Sequence, residues 1–386
     1  MEDLFCFDDL YTEEEKLIRQ STRQFVDQTV LPIIQTAYEE GQFPEIFIQK
    51  AAELGLLGMT LPESEGGLGA SHVAYGLVCQ ELERGDSGLR SFVSVQSSLC
   101  MAPISAFGTP AQKQRFLPQM AQGKCIGCFG LTEPEAGSDP GSMTTRAKKV
   151  SGGWRLQGAK LWITNATIAN IAIVWAKDEE DKIKGFIVER GFEGFHTQEI
   201  QHKHSLRASI TGEIILENCF VPDDNYLPGT QQGLATALAC LTKARYGIAW
   251  GVIGAAMACY EIALKYTQER KQFGKPLASF QLIQASLVDM LAEISKAQAL
   301  NIQIGRLKDQ NRSNYAMVSL AKMNACREAL KIAREARNLL GANGISLEYQ
   351  VIRHMNNLES VFTYEGTDNM HHLIVGRHIT GFNAFS

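Results

Sequence analysis

The hydrophobic pattern changes period twice along the chain. Between residues 128 and 228, four short runs rich in β-branched and aromatic residues are separated by Gly, Asp and Asn turns: WRLQGAKLWIT, IANIAIVWAK, KIKGFIVER and TGEIILENCFV. This spacing is typical of an all-β module. No βαβ alternation accompanies it, and neither GxGxxG nor GxxxxGK(S/T) is present, so the common NAD and ATP cradles are disfavoured.

The residues on either side of this module follow a helical period. Thr12 and Glu15 form a capping-box pattern, and the helix that it opens carries Leu17, Ile18 and Phe25 before Pro32. Beyond Pro228, apolar residues recur at helical spacing to the end of the chain. The sequence therefore predicts an α+β multi-domain fold: an N-terminal α-helical domain over residues 1–127, a middle β-barrel or sandwich domain over 128–228, and a C-terminal four-helix bundle over 229–386.

Charge and hydropathy exclude several classes of partner. The 386 residues carry a net charge of -5 without a Lys/Arg run, which disfavours nucleic acid. The uncharged stretch 246–260 is shorter than the ~20 residues of a membrane span and predicts a buried helix. Its glycines Gly247, Gly251 and Gly254 would admit either a neighbouring backbone or a ligand. The acidic start lacks signal and transit features, so we expect a cytoplasmic protein if bacterial, or a mitochondrial matrix protein if this is a mature eukaryotic form.

The sequence predicts no metal centre. Its nine cysteines are scattered and odd in number, which predicts free thiols, and the pair Cys125 and Cys128 lacks further zinc ligands. A second possibility is a metal bound in a helical bundle by residues at helical spacing: Glu365, Asp368, His371 and His372. The second Glu-x-x-His that a di-iron bundle needs is absent from the sequence.

One carboxylate stands out near the C-terminus. Glu365 lies between an apolar, aromatic segment and a glycine in the string TYEGT, where burial would penalise its charge. Such a group is either a satisfied structural carboxylate or a base with a raised pKa. Residues 129–139, FGLTEPEAGSD, combine turn residues with hydroxyls that suit a flat ring or a phosphate, although the residues alone favour an ordinary polar loop.

A second charged group is predicted to be buried. Glu83, Ser87 and Arg90 are spaced to share one helical face, with Gly85 and Gly88 weakening the assumption of a continuous helix. The residues after Arg90 are uncharged, so its guanidinium enters apolar surroundings and needs an anion. The alternative is a surface charge cluster.

The domain order and several strings together resemble the acyl-CoA dehydrogenase family over essentially the whole chain. The strings are CFGLTEPEAGSD, KLWITNA, RKQFGKPLASFQLIQ, LLGANGIS and TYEGTDNMH. The resemblance implies FAD as cofactor, electron-transferring flavoprotein as electron acceptor, and a homotetramer. It also implies that Glu365 is the base that removes a C2 proton while hydride leaves C3 for flavin N5.

The same resemblance assigns a set of cofactor contacts. Trp162 would cover the flavin ring, although a core aromatic is its other interpretation, and Arg270 would reach a cofactor bound mainly by a neighbouring subunit. The implied FAD-binding residues are Phe129, Leu131, Thr132, Ser138, Trp162, Thr164, Arg270, Phe273, Gln281, Leu340, Gly341 and Thr367.

The string SGLRS, with KARYGIAWGVIGA, HSLRAS and NLESVFTYEGT, is similar to the branch of the family that acts on glutaryl-CoA. This implies oxidation of glutaryl-CoA at C2–C3, with decarboxylation to crotonyl-CoA and CO2, in lysine and tryptophan degradation. The implied substrate-binding residues are Arg90, Ser91, Glu83, Ser138, Arg245, Tyr364 and Gly366. Three alternatives stay open: a relative that stops at glutaconyl-CoA, a short- or branched-chain acyl-CoA dehydrogenase, and a non-enzymatic flavin-binding protein.

Overall fold

The computed structural model describes residues 3–384, and its N-terminal part is helical. The helices are α1 Glu13–Phe25, α2 Leu31–Glu40, α3 Ile46–Glu53, α4 His72–Gly85, α5 Ser87–Ser94, α6 Ala102–Phe107 and α7 Pro110–Ala121. The predicted capping box is present: the Thr12 hydroxyl accepts from the Glu15 amide at 3.2 Å, and the Glu15 carboxylate accepts from the Thr12 amide at 2.9 Å.

The predicted first helix is present and carries Leu17, Ile18 and Phe25, but the helical backbone continues through Pro32. A π-helical turn, Val26–Val30, carries the helical backbone directly from α1 into α2. Pro32 lies in the first turn of α2. Proline is tolerated there because a first-turn amide has no partner within the helix.

Glu83 and Arg90 do not share one continuous helix. The backbone of Asp86 is extended, at φ −165° and ψ 140°, and separates α4 from α5. Its side chain caps α5 by accepting from the Gly88 amide at 2.7 Å. The predicted single helical face is therefore wrong, although the break still brings Glu83 and Arg90 into contact.

The middle part forms one mixed sheet. Its strands are β1 Gly127–Gly130, β2 Arg146–Val150, β3 Gly153–Thr164, β4 Ile171–Lys177, β5 Ile183–Glu189, β6 Phe195–Glu199 and β7 Thr211–Pro222. The order is β1-β4-β2-β3-β7-β6, with β5 also pairing with β4. The four predicted runs contain β3, β4, β5 and β7, whereas the sequence reading did not identify β1, β2 and β6.

The C-terminal part returns to helices. These are α8 Leu234–Glu269, α9 Gln281–Asp309, α10 Tyr315–Leu339, α11 Val351–Thr363 and α12 Asp368–Thr380, with a hairpin of β8 Lys271–Gln272 and β9 Lys275–Pro276 between α8 and α9. Helices α8, α9 and α10 pack on one another, and α11 and α12 pack on α10. The predicted order of helical, β and helical parts is confirmed.

Helix α8 is the central core helix. Its length and composition would suffice to cross a membrane, but 78% of its most apolar window is buried within the protein. A Cβ atom on Gly254 would lie 1.8 Å from the Gln80 carbonyl oxygen, and one on Gly251 would lie 2.1 Å from Glu83 Oε2. The glycines therefore allow α4 to pack closely against α8.

Candidate active site

A cavity of about 1570 Å³ lies between the sheet, α5, α8 and the segment that joins α11 to α12. Twelve of the residues singled out from the sequence line it. They are Ser91, Phe129, Leu131, Thr132, Ser138, Trp162, Thr164, Arg245, Tyr364, Glu365, Gly366 and Thr367.

The carboxylate of Glu365 lies on a strained segment. Helix α11 ends at Thr363, and the Thr367 hydroxyl caps α12 by accepting from the Met370 amide at 3.3 Å. Between these ends Glu365 has φ +54° and Gly366 has φ +103°. A left-handed backbone at a residue with a side chain is costly and is concentrated at functional sites.

The surroundings of Glu365 suit a base. Its Oε2 atom is buried and has no hydrogen-bond partner among residues 3–384. Burial raises the pKa of the Glu365 carboxyl, and the positive charges of Arg90, Arg245 and Lys322 oppose the rise without cancelling it. A raised pKa makes the ionised carboxylate a stronger proton acceptor.

Gly366 is required by its neighbours as well as by its backbone angle. A Cβ atom there would lie 3.0 Å from His371 Nε2 and 3.2 Å from Arg245 Nη2. Burial, together with the charges of Lys322 and Arg245, lowers the pKa of His371 to about 3. The imidazole beside Gly366 is therefore neutral at physiological pH.

Arg90 is fully buried and keeps one unused donor. Its Nε donates to Glu83 Oε2 at 2.6 Å, and its Nη2 donates to the Tyr364 hydroxyl. Its Nη1 is buried without a partner among the described residues. Arg90 does not itself line the cavity: it lies behind Tyr364, which does, and its positive charge acts on the neighbouring Glu365 carboxyl.

Glu83 compensates part of the charge on Arg90. Both side chains are wholly buried. Burial raises the pKa of Glu83 despite the attraction of Arg90, whereas the Glu83 carboxylate keeps the pKa of Arg90 above its ordinary value against the effect of burial. The expectation that Arg90 enters buried surroundings is confirmed.

The sheet side of the cavity presents an exposed indole and free hydroxyls. Trp162 is 59% exposed and has φ +61° at a point where the register between β3 and β7 shifts, which rules out the core-aromatic interpretation. The hydroxyls of Thr132, Ser138 and Thr164 make no hydrogen bond within residues 3–384. A flat, polar ring system fits such a wall.

A buried ion pair holds this wall together. Lys160 Nζ donates to Glu133 Oε1 at 2.8 Å, and Glu133 also accepts from the amides of Thr144 and Thr145 at 2.6 and 3.0 Å. The Leu161 amide donates to the Thr132 carbonyl at 2.9 Å. The segments that carry Thr132 and Trp162 are thus fixed to each other.

Five predicted cofactor residues lie away from this cavity. Arg270, Phe273 and Gln281 are exposed around the β8–β9 hairpin, with Phe273 at 92%. Leu340 is buried and Gly341 is exposed at the end of α10. Within one subunit the structure does not bring these five residues to the cavity.

Several lysines at or near the cavity were not predicted from the sequence. Lys203, Lys243 and Lys308 line the cavity, and burial lowers the pKa of Lys308 to about 8 with a further contribution from Lys243. Lys322 is buried in α10 among inward-facing residues such as Ala321 and Ala325. That apolar spacing around a lysine was the signal that could have identified it.

The proposed metal ligands do not share a helix. Glu365 precedes α12, whereas Asp368, His371 and His372 belong to it, and His372 and Asp368 both contact Arg327. Within residues 3–384, no three His, Cys, Asp or Glu side chains are grouped to hold a metal ion.

Domain comparisons define the class of protein. The chain matches the N-terminal domain of acyl-CoA dehydrogenases over residues 12–124, their middle domain over 128–219 and their C-terminal domain over 231–380. These are the three parts of an oxidoreductase fold that surrounds the cavity described above. The chain therefore belongs to the acyl-CoA dehydrogenase family.

Individual relatives agree with this assignment. A glutaryl-CoA dehydrogenase from Mycobacterium smegmatis, solved in complex with FADH2, is 47% identical with a TM-score of 0.97, covering 100% of this chain and 99% of that one. A glutaryl-coenzyme A dehydrogenase solved with glutaryl-CoA is 33% identical with a TM-score of 0.92, covering 96% of each chain. The short-chain specific acyl-CoA dehydrogenase of rat mitochondria is 33% identical over 95% of this chain and 90% of its own length.

The cavity fits the cofactor of this family. Acyl-CoA dehydrogenases use FAD, as the resemblance implied. The free hydroxyls of Thr132, Ser138 and Thr164 and the exposed face of Trp162 supply the hydrogen bonds and the apolar surface that a flavin ring needs.

Proposed function

We propose that this protein oxidises glutaryl-CoA at C2–C3 and decarboxylates the product to crotonyl-CoA and CO2. The observation that carries the proposal is Arg90: a fully buried guanidinium, linked through Tyr364 to the segment of the base, with Nη1 unused. A buried cation with a free donor suits a second carboxylate on the substrate, which a hydrocarbon chain lacks.

The residues divide the reaction between them. Glu365 removes the C2 proton, and its backbone N–H would bind the thioester oxygen as enolate charge develops. When bound, FAD supplies the acceptor for the hydride that leaves C3. Arg90, assisted by Ser91, holds the distal carboxylate so that C2 and C3 reach these groups in one orientation.

Decarboxylation uses the same base. Once C2 and C3 form a double bond, the C4–carboxylate bond is vinylogous to that of a β-keto acid, so its electron pair can pass into the conjugated thioester as CO2 leaves. Protonated Glu365 then returns its proton to C4, which gives crotonyl-CoA. Tyr364, beside the base and bonded to Arg90, orients the departing carboxylate.

Two lysines of the cavity lining favour a CoA thioester as substrate. Lys243 and Lys308 line the cavity and form no ion pair with a carboxylate in the described part of the chain. Two uncompensated ammonium groups form a field that attracts phosphate. We assign the nucleotide end of CoA to this region.

We further propose a homotetramer that passes electrons to an electron-transferring flavoprotein. Phe273, Leu282 and Val288 are large apolar residues exposed on the hairpin and the start of α9. Burying them against a second copy would bring Arg270 and Gln281 near the partner's FAD. Light scattering of the purified holoenzyme tests the assembly, and reduction of an electron-transferring flavoprotein by the substrate-reduced enzyme tests the acceptor.

A short-chain acyl-CoA dehydrogenase is the second candidate, favoured by the 33% identity to the rat enzyme. Steady-state kinetics with glutaryl-CoA and butyryl-CoA separate the two candidates.

The informative variant is Arg90→Met combined with Glu83→Gln, because it removes both buried charges and leaves neither unpaired. On the pH plateau where Glu365 is fully ionised, we expect kcat/KM for glutaryl-CoA to fall about 100-fold or more, the equivalent of about 3 kcal/mol, with a much smaller change for butyryl-CoA. Equal losses on both thioesters would remove the dicarboxylate assignment.

A further inference from the structure

Lys322 in α10 is a buried cation without an anionic partner. It is 1% exposed, and no carboxylate within residues 3–384 forms an ion pair with it. Its Nζ instead donates to the carbonyls of Tyr364 at 3.0 Å and Gly366 at 2.9 Å, with a longer contact of 3.5 Å to Phe362. A buried ammonium is costly unless all its protons find acceptors, so this arrangement has a specific cause.

The acceptors of Lys322 flank the base. Tyr364 and Gly366 are the residues immediately before and after Glu365. The carbonyl of Glu365 itself accepts from Arg245 Nε at 2.7 Å. Three consecutive carbonyls are therefore each held by a buried cation.

The hydrogen bonds from Lys322 and Arg245 account for the backbone conformation of Glu365. A residue with a side chain keeps a φ of +54° only where the surrounding structure fixes it. The helix caps restrain Tyr364 and Thr367, but Glu365 itself belongs to neither helix, because α11 ends at Thr363 and α12 begins at Asp368. The cations on the carbonyls of residues 364–366 fix the backbone between the two caps.

We propose that Lys322 is a positioning residue for the base: it holds the carbonyls on both sides of Glu365 and so fixes the segment that presents the carboxylate to the cavity. The inference rests on the proposed function in one respect, that Glu365 is the base. It applies equally to glutaryl-CoA and to a short-chain thioester.

Lys322 also contributes charge at the site. The charged and titratable groups around Glu365 come from α5, α8, α10, α12 and the segment itself. Arg90, Arg245, Lys322 and Tyr364 interact with Glu365, whereas Cys326 and Asp368 interact with Lys322, and His371 with Lys322 and Arg245. Since Lys322 is one of three cations that oppose the effect of burial, replacing it with a neutral residue raises the pKa of Glu365 further.

The test compares three variants of the FAD-loaded enzyme: Lys322→Met, Lys322→Gln and Arg327→Met. Lys322→Met removes the donors and the charge, whereas Lys322→Gln keeps an amide donor without the charge. Arg327 is a matched control because it lies on the same helix and pairs with Asp368 at 2.8 Å, but contacts none of the carbonyls of residues 364–366. The measurements are kcat, KM and the pH at half-maximal kcat/KM on the acid side.

We expect Lys322→Met to lower kcat about 100-fold, the loss typical of a displaced catalytic group, with a smaller change in KM. Lys322→Gln should retain more of kcat, and both variants should move the acid half-maximum to higher pH. The control should keep the wild-type pH profile. Wild-type kcat and half-maximum in either Lys322 variant, or the same changes in the control, would overturn the proposal.

Lys322→Gln decides the question alone if Lys322→Met does not fold. Wild-type kcat together with an unchanged acid half-maximum in the folded Lys322→Gln enzyme rejects the positioning role. Failure of the proposed function looks different: the wild-type enzyme would then turn over no glutaryl-CoA. The same variants are then compared on butyryl-CoA, for which Glu365 would be the base as well.

Discussion

The guanidinium of Arg353 in α11 donates to the carboxylate of Asp86, the residue that separates α4 from α5. It also donates to the Gly85 carbonyl at 2.8 Å, and Asn357 donates to the same carboxylate at 2.9 Å. The helix that carries Arg90 is therefore joined to the helix that leads into Glu365. This buried contact therefore fixes the position of the helix of Arg90 relative to the helix that precedes Glu365.

Breaking this contact should destabilise the protein strongly. Arg353→Met leaves the Asp86 carboxylate buried without its cation, which costs about 3–5 kcal/mol. The control Arg334→Met removes a surface pair with Glu359 between α10 and α11 and should cost less than about 1 kcal/mol. Urea unfolding followed by circular dichroism measures both, and equal midpoints for the two variants would contradict the role of Asp86.

The rate should depend on the ionisation of Glu365. Because burial raises the pKa of this carboxyl above its ordinary 4.5, its base form is lost as pH falls through a value above 4.5. We expect the acid limb of kcat/KM to lie there, and Glu365→Gln to abolish turnover. A folded Glu365→Gln enzyme that still bleaches its flavin with substrate would mean that another group removes the proton.

Glu133 should stabilise the fold above acidic pH. Hydrogen bonds from Lys160 and Thr145 lower the pKa of Glu133 to about 2 despite its burial. A carboxyl with a lowered pKa contributes stability that is present above its unfolded value and lost as pH falls through the folded value, here from about 4.5 to about 2. Glu133→Gln should therefore have a lower Tm than the wild type at pH 7. The difference in Tm between the two proteins should shrink as the pH falls from about 4.5 to about 2. A difference independent of pH would contradict an ionised Glu133.

The same variant should weaken FAD binding, because Glu133 joins the segments of Thr132 and Trp162. Flavin fluorescence after dilution measures the released cofactor. A control is Lys184→Met, which removes an ion pair with Asp178 in the same sheet, away from the cavity. We expect release from Glu133→Gln and retention in the control.

Lys308 should act on the CoA moiety alone. Lys308→Ala is expected to raise KM for glutaryl-CoA while leaving kcat unchanged, since a phosphate contact far from C2 is made equally in ground and transition states. The truncated pantetheine thioester has no nucleotide phosphates and should show no difference between variant and wild type. An equal rise in KM for both thioesters would place Lys308 elsewhere.

Much of the fold could be predicted from the sequence, because the helical and β periods change where the domains change. Local patterns were less informative where tertiary contacts determine the ends of a helix or the presence of a strand. Pro32 fits a helix start as well as a helix stop, and the polar strand β2 lacks the alternation of a half-buried strand. The Asp86 carboxylate between α4 and α5 is buried beside Arg353, a partner 267 residues away that no local pattern indicates.

The site residues also divide into those that the sequence identifies and those that depend on tertiary contacts. Glu365 and Arg90 were identifiable because a charge in apolar sequence is unusual. Lys322 was not identified, because a lysine in a helix usually lies in solvent and its acceptors are backbone carbonyls of a distant segment. Arg270 and Phe273 are exposed near the β8–β9 hairpin, and in the proposed homotetramer they would contact a second copy of the chain.

The most direct measurement of the central claim is anaerobic mixing of the FAD-loaded enzyme with glutaryl-CoA, followed by flavin absorbance and a parallel assay for CO2. The proposed function predicts rapid bleaching of the flavin together with release of CO2 and formation of crotonyl-CoA. Bleaching without CO2 would contradict decarboxylation and select an enzyme that stops at glutaconyl-CoA. No bleaching by glutaryl-CoA, with bleaching by butyryl-CoA, would contradict the dicarboxylate substrate itself.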